Sequence, residues 1–238
     1  MPGSGKGYCF LSLTFSVDFC IVYNYIVIEG NIGAGKTSFA TRFAEESDAR
    51  LILEQFEENS FLPKFYEDPA RYAFPLELSF LADRYQQLKT QFTTTDMFKP
   101  FTVADYFIFK SLIFASRNLE QLEFGLYSKL FTIVSSVVPK PDLIVYLYLN
   151  LDNLKKNIQK RGRPYEQNIQ YEYLDKIQNG YLDFLRQQSD LRVVLIDTNG
   201  IDFVERDSDY QWMKDAILRN YPLGMHRIQK PGLLPGLY

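Results

Sequence analysis

The chain has 238 residues, a formal net charge of −3, and 46% hydrophobic and 23% charged residues. That is enough to bury one full core, and the balance is ordinary for a globular domain. Mild acidity argues against general affinity for a nucleic-acid polymer, which needs cations to neutralise phosphates. Two cysteines, Cys9 and Cys20, and one histidine, His226, argue against a disulfide framework, a metal cluster and a Ser-His-Asp triad, and fit a reducing, cytoplasmic compartment. Aromatic content is high at 16%, more than a core alone needs and suited to a pocket that stacks a flat ring.

Residues 1–23 are expected to stand outside the fold, as a start codon placed too far upstream would leave them. Tyr8 to Tyr23 is apolar but broken by Ser, Thr and Asp18. It imitates a signal peptide faintly, shows no clear cleavage site and is too short to span a membrane. Gly3-Ser-Gly-Lys6 looks like half a phosphate loop, but no strand precedes it.

Tyr25 to Ile28 is a short β-branched run, the pattern of a strand buried on both faces. Gly30, Asn31, Ile32, Gly33, Ala34, Gly35, Lys36, Thr37 and Ser38 follow, and they satisfy G-x-x-x-x-G-K-[ST]. Ser38 to Ser47 reads as a helix, with Phe39 and Phe43 on one face. In such a loop the glycines let successive N–H groups wrap a phosphate, and the helix N-terminus adds partial positive charge. Lys36 can reach the β- and γ-phosphates of a triphosphate, and the Thr37 hydroxyl can ligate Mg²⁺.

Beyond the loop, strands and helices alternate. Ala49 to Leu53 is a strand ending at Glu54, and Pro69 to Phe92 is helical, with apolar residues at helical spacing. Phe101 to Ala104 is a third strand ending at Asp105. A helical region runs from Tyr106 towards Val138, interrupted near Gly125. Leu143 to Leu149 is a fourth strand, Asp152 to Lys160 a helix, and Lys160 to Glu166 a charged loop. Tyr171 to Gln188 is helical and Arg192 to Ile196 is a fifth strand. The alternation predicts an α/β fold, a five-stranded parallel sheet flanked by helices. The domain is expected over residues 24–221, and 222–238, rich in Pro and Gly, as a loose tail.

Ligands of an open parallel sheet sit at the carboxyl ends of its strands. Glu54 and Asp105 end strands there. Glu54 suits a general base for an attacking hydroxyl, and Asp105 suits a water-mediated hold on Mg²⁺. The plainer reading of Glu54 is the start of a solvated acidic run, Gln55-Phe-Glu-Glu58. Arg161 and Arg163, in an exposed basic loop, can close over phosphates and offset transition-state charge. This account expects the first two strands to end side by side, bringing Glu54 within reach of the triphosphate at Lys36.

These motifs meet a family. From Tyr25 to Phe203 the chain resembles the deoxynucleoside kinases, with bacterial deoxyadenosine and deoxyguanosine kinases in view. Glu-Gly-Asn-Ile-Gly-Ala-Gly-Lys-Thr is close to the family's phosphate loop, and Glu54 falls at its catalytic base. The resemblance assigns Tyr66 and Glu166 to the sugar 3′-hydroxyl and Phe114, in Ile113-Phe114-Ala115, to stacking on the base. It also assigns Arg161-Gly-Arg163 to an arginine-rich lid, and Asp202 and Phe203 to the loop around the donor's adenine. It implies ATP as donor, Mg²⁺, nucleotide salvage and a homodimer formed by the aromatic-rich helices between Tyr106 and Val138, although those residues serve equally as core.

Two departures bear on the substrate. The family has Gln seven residues before an Arg on one helix, whereas here Glu77 precedes Arg84. Its Glu-Arg-Ser or Asp-Arg-Ser after the third strand is Asp105-Tyr-Phe107 here, so Arg84 or a lid arginine inherits part of the missing arginine's role. Asp105 aligns with either of two family acids, the strand-end one being favoured. An ionised carboxylate only accepts hydrogen bonds, whereas Gln both donates and accepts. Guanine offers two adjacent donors, N1–H and the 2-amino group, which suits Glu77 in bidentate fashion, with Arg84 placed to meet O6 or N7. Otherwise Glu77 pairs with Arg84 or sits protonated. Guanine is expected first and adenine next. A thymidylate kinase-like monophosphate kinase would need a cationic acceptor site near Glu54, where the sequence is acidic. A GTP-binding switch would need an N/T-K-x-D motif, which is absent.

Overall fold

A computed structural model of the chain describes residues 23–55, 59–93 and 98–232. The expectations for residues 1–22, including both cysteines and Gly3–Lys6, lie outside the described residues. So do those for 56–58 of the acidic run and for 233–238 of the tail.

The elements are β1 (Tyr25–Gly30), α1 (Lys36–Glu46), β2 (Arg50–Ile52), α2 (Phe61–Glu67), α3 (Pro69–Thr93), β3 (Thr102–Ala104), α4 (Phe109–Asn118) and α5 (Gln121–Ser135). Then come β4 (Leu143–Tyr148), α6 (Leu151–Arg161), a 3₁₀ turn at Pro164–Glu166, α7 (Tyr171–Arg186), β5 (Arg192–Asp197), α8 (Asp207–Ile217) and β6 (Gly224–Gln229). All six strands run parallel in one sheet, in the order β2-β3-β1-β4-β5-β6.

Strand alternation divides the core between the two sheet faces. Ile26 and Ile28 face Phe39 and Phe43 of α1, Leu154 and Ile158 of α6, and Tyr210 and Met213 of α8. Tyr25 and Val27 face the opposite layer, with Leu81 and Leu88 of α3 and Tyr127 and Phe131 of α5. Tyr146 and Tyr148 continue that layer against Ile177 and Tyr181 of α7. Among the described residues no helix is long and apolar enough to cross a membrane.

The structure corrects four sequence expectations. β1 and β2 are not neighbours, because β3 lies between them and pairs with both. Sheet order is a non-local property that strand patterns do not encode. A sixth strand exists: residues 224–229, read as tail, pair along their length with β5. Half-exposed, with the mixed sequence GMHRIQ, this edge strand lacks the apolar run that marks a central one, and His226 sits within it, Nε2 3.0 Å from the Pro222 carbonyl. The third correction is that the helical region breaks at Leu119–Glu120 rather than at Gly125, which lies inside α5. Glu120 and Glu123 form a reciprocal capping box there, a stronger start signal than a single glycine is a stop. Finally, Tyr23, placed with the outlying segment, is buried. Its hydroxyl donates to the Arg219 carbonyl and accepts from the Tyr221 N–H, both at 2.9 Å.

Candidate active site

The phosphate loop leaves β1 at Gly30 and enters α1 at Lys36. Gly33 and Gly35 both have φ +84°, and a Cβ there would meet the Leu154 carbonyl and the Phe203 ring, each at 2.7 Å. Glycine is required at both positions by backbone conformation and by space. Other loop residues are held by the fold. Asn31 is buried, its side chain donating to the Leu174 carbonyl (2.8 Å) and to Gln178 (3.3 Å) of α7. Asn157 of α6 donates to the Gly33 carbonyl at 2.8 Å. Phe203 packs edge-on against Phe39 and covers Gly35, so its ring buttresses the loop. Asp202 accepts from the Val204 and Glu205 N–H groups, organising the turn before α8.

Lys36 lies along the loop and donates to the Asn31 carbonyl at 3.0 Å. Burial, and then the positive charge of Lys110, push its ammonium down to about 8. A phosphate arriving at this loop would reverse that cost by supplying the missing counter-charge.

Asp105, just past β3, joins the loop to the next strand. Its Oδ2 accepts from the Thr37 hydroxyl at 2.6 Å, and its Oδ1 accepts from the Glu54 main-chain N–H at 2.7 Å. The strand that separates β1 from β2 thus supplies the link between their carboxyl ends. A hydroxyl and a carboxylate in contact are hard oxygen donors of the kind Mg²⁺ takes, with phosphates and waters completing its shell. No cluster of three or more metal-ligating side chains occurs among the described residues.

Glu54 is nearly buried, with 8% of its side chain exposed. Arg84 donates to Oε1 through Nε at 2.8 Å, and Lys110 holds Oε2. Burial alone would raise this carboxyl, but the charges and hydrogen bonds of Lys110 and Arg84 outweigh it and bring it to about 2. Arg84 also donates to Ser111 at 2.8 Å and lies over the Phe80 ring. Its guanidinium is thus paired with Glu54 rather than with Glu77.

The cleft in front of Glu54 takes in about 740 Å³ of space, the open solvent at its mouth included. Lys36, Thr37, Glu54, Tyr66, Glu77, Arg84, Asp105, Phe114, Arg161, Arg163 and Glu166 all border it. Residues scattered over half the sequence are thus brought to one place. Tyr66 of α2 stacks on Tyr165 at 6.1 Å, tying α2 to the Pro164–Glu166 turn. Glu166 is buried and ion-paired with Arg161 and, at 3.6 Å, with Arg163. Phe114 sits edge-to-face with Tyr181. Glu77 is buried; its Oε1 accepts from Asn118 at 2.7 Å, while its Oε2 has no hydrogen-bond partner. Burial pushes its carboxyl up to about 7, against the Asn118 hydrogen bond and the charges of Arg84 and Lys110.

Sequence reasoning missed Lys110 and Asn118. The signal was present: Lys110, Phe114 and Asn118 recur every fourth residue on α4, so a Phe114 facing the pocket carries the other two with it.

The profile of the deoxynucleoside kinase family matches residues 26–221. The chain belongs to this family. The deoxyguanosine kinase of Bacillus subtilis (strain 168) is 37% identical over 195 residues, 79% of this chain and 92% of that one. A deoxyadenosine kinase of Dictyostelium discoideum is 29% identical over 191 residues, 80% of this chain and 78% of that one. In fold the chain is similar to a deoxyadenosine kinase from M. mycoides solved with bound dATP: TM-score 0.70, 22% identity, 81% of this chain and 98% of that one. The chain is accordingly a deoxynucleoside kinase, a phosphotransferase acting on an alcohol group.

The depressed Glu54 carboxyl ties stability to acid. An acid whose folded value lies below its ordinary 4.5 adds stability above that pH and loses it as pH falls towards 2. The increment is on the order of 3 kcal/mol. Urea unfolding of the native protein and of Glu54→Gln, followed from pH 5 to pH 2.5, should show the native advantage shrinking across that window. A constant gap would contradict the pairing described.

Proposed function

We propose that the chain transfers the γ-phosphoryl group of ATP to the 5′-hydroxyl of a purine deoxynucleoside in nucleotide salvage, in the cytoplasm. One observation carries the reading: Lys36, Thr37 and Glu54 open onto one cleft and are linked through Asp105. The donor's phosphates lie along Gly30 to Ser38, at the amino end of α1, where backbone N–H groups and Lys36 meet their charge. Asp202 and Phe203 shape the wall beside the donor's adenine. Thr37 and Asp105 would hold Mg²⁺, which would supply charge neutralisation on the phosphates.

Glu54 takes the proton of the 5′-hydroxyl. With both oxygens held by cations it is too weak a base for that task, so Lys110 must leave it. A γ-phosphate beside Lys36 offers Lys110 a stronger partner, and its arrival frees Oε2 as the acceptor hydroxyl reaches it. Arg161 and Arg163 share the remaining charge of the phosphoryl group in flight. Tyr66 and Glu166 hold the sugar 3′-hydroxyl, and Phe114 stacks on the base. Glu77 reads the base edge. Its buried Oε2, without a partner, is an acceptor in want of a donor, and guanine supplies donors. The Bacillus subtilis relative's name, deoxyguanosine kinase, supports guanine.

The protein acts as a homodimer. Leu122, Leu126, Ile133 and Val137 project from one face of α5 and its end and are exposed, Leu122 at 90% and Ile133 at 70%. An apolar stripe of this kind marks an interface more often than a free surface.

Three experiments test these assignments. Glu54→Gln should keep nucleoside binding within a few fold while kcat falls by roughly 10²–10⁴; near-native turnover would remove Glu54 from the mechanism. Run alongside it, a deoxynucleoside monophosphate offered as acceptor should give no transfer, and efficient transfer would favour a monophosphate kinase. Sedimentation of Ile133→Glu should give half the mass of the native protein. A native protein that is already monomeric, or an unchanged mass, would contradict the interface.

A further inference from the structure

The carboxyl of Glu77 faces the cleft among neutral partners. Its Oε1 accepts from Asn118 of α4, whose amide also reaches the Tyr173 hydroxyl of α7 at 3.3 Å. The Tyr127 hydroxyl of α5 donates to the Glu77 main-chain carbonyl at 3.3 Å, not to its side chain. The cations nearest it, Arg84 on its own helix and Lys110 on α4, are both spent on Glu54. Of the other cleft acids, Glu54 and Glu166 have ion pairs of their own, and Asp105 has a hydrogen bond on each oxygen. Glu77 alone among these carboxylates is buried with no cation in contact and one oxygen unpartnered. A charge buried in this way is costly and is relieved by taking up a proton.

The two protonation states offer different patterns to a ligand. Ionised, both oxygens accept, which matches the adjacent N1–H and amino donors of guanine. Protonated on Oε2, the group donates there and still accepts at Oε1, which matches the N1 acceptor and N6 amino donor of adenine. We propose that Glu77 makes this site a proton-dependent selector between purines, favouring deoxyguanosine when ionised and deoxyadenosine when protonated. The inference rests on the kinase reading above and deepens it: one residue serves two substrates, and pH sets the order. Burial brings this carboxyl to about 7, so both states are populated under physiological conditions.

The specificity ratio isolates Glu77. With one nucleoside bound by the ionised form and the other by the protonated form, the ratio of their kcat/KM values changes about tenfold per pH unit. Donor binding at Lys36, itself titrating near 8, acts on both substrates alike and cancels. The test offers equal deoxyguanosine and deoxyadenosine in one reaction with ATP and Mg²⁺ and measures the ratio of the two monophosphates between pH 6 and pH 8. Expected is a rise in the dGMP to dAMP ratio of at least tenfold, and of about a hundredfold if selection is complete. A ratio that moves less than tenfold, or falls, overturns the inference and leaves the kinase reading standing. Absence of transfer to either nucleoside overturns both. Glu77→Gln should give a ratio independent of pH and shifted towards dAMP. Should that variant not fold, calorimetry of the native protein near pH 7, in buffers of different ionisation enthalpy, decides without it. Deoxyadenosine binding should take up protons and deoxyguanosine binding should release them, and equal proton linkage for the two would refute the selector.

Discussion

One oxygen of Asp105 accepts from the Thr37 hydroxyl and the other from the main-chain N–H of Glu54, so a single carboxylate at the end of β3 fixes the distance between the phosphate loop and the segment that follows β2. The sheet makes this possible. β3 lies between β1 and β2 and pairs with both, which puts its carboxyl end where a short acid touches both neighbours. Each contact is a hydrogen bond to a charged acceptor in a nearly buried setting, stronger than a neutral one. Chemistry that requires a base and a triphosphate at fixed separation depends on such a link, because small misplacements of reacting groups cost large factors in rate.

Around that link the cleft is organised by charge. Glu54 is held by two cations and Glu166 by two arginines, while Glu77 has none. The first arrangement occupies both oxygens of Glu54 and holds its carboxyl well below the ordinary range. The second ties the Pro164–Glu166 turn back to Arg161 at the end of α6. The third leaves one buried carboxyl of the cleft with an oxygen that has no partner. Five basic side chains and four acids line this space, so it is close to neutral when empty and gains attraction for phosphate whenever an acid takes up a proton.

How much of this the sequence discloses follows from how local each feature is. The phosphate loop is contiguous and tied to a strand and a helix, and its glycines, lysine and threonine are legible at once. Glu54 and Asp105 are legible as acids at strand ends. Their mutual contact is not, because the insertion of β3 depends on the whole sheet. β6 escapes because an edge strand with one solvated side carries little apolar signal. The partner of Arg84 could not be read either: Glu77 is two turns away on the same helix, and Glu54 comes from another element that only the fold brings closer. Lys110 was legible in principle from its spacing to Phe114, but a lone lysine on a helix reads as solvated until the helix is placed.

The most direct measurement is a crystal structure of the protein with deoxyguanosine, a non-hydrolysable ATP analogue and Mg²⁺. The 5′-oxygen should lie about 3 Å from Glu54 Oε2, with Lys110 moved from that oxygen to the γ-phosphate and Asp105 still accepting from the Glu54 N–H. A 5′-oxygen beside another carboxylate, or a Glu54 still gripped by both Lys110 and Arg84 in that complex, would contradict the account.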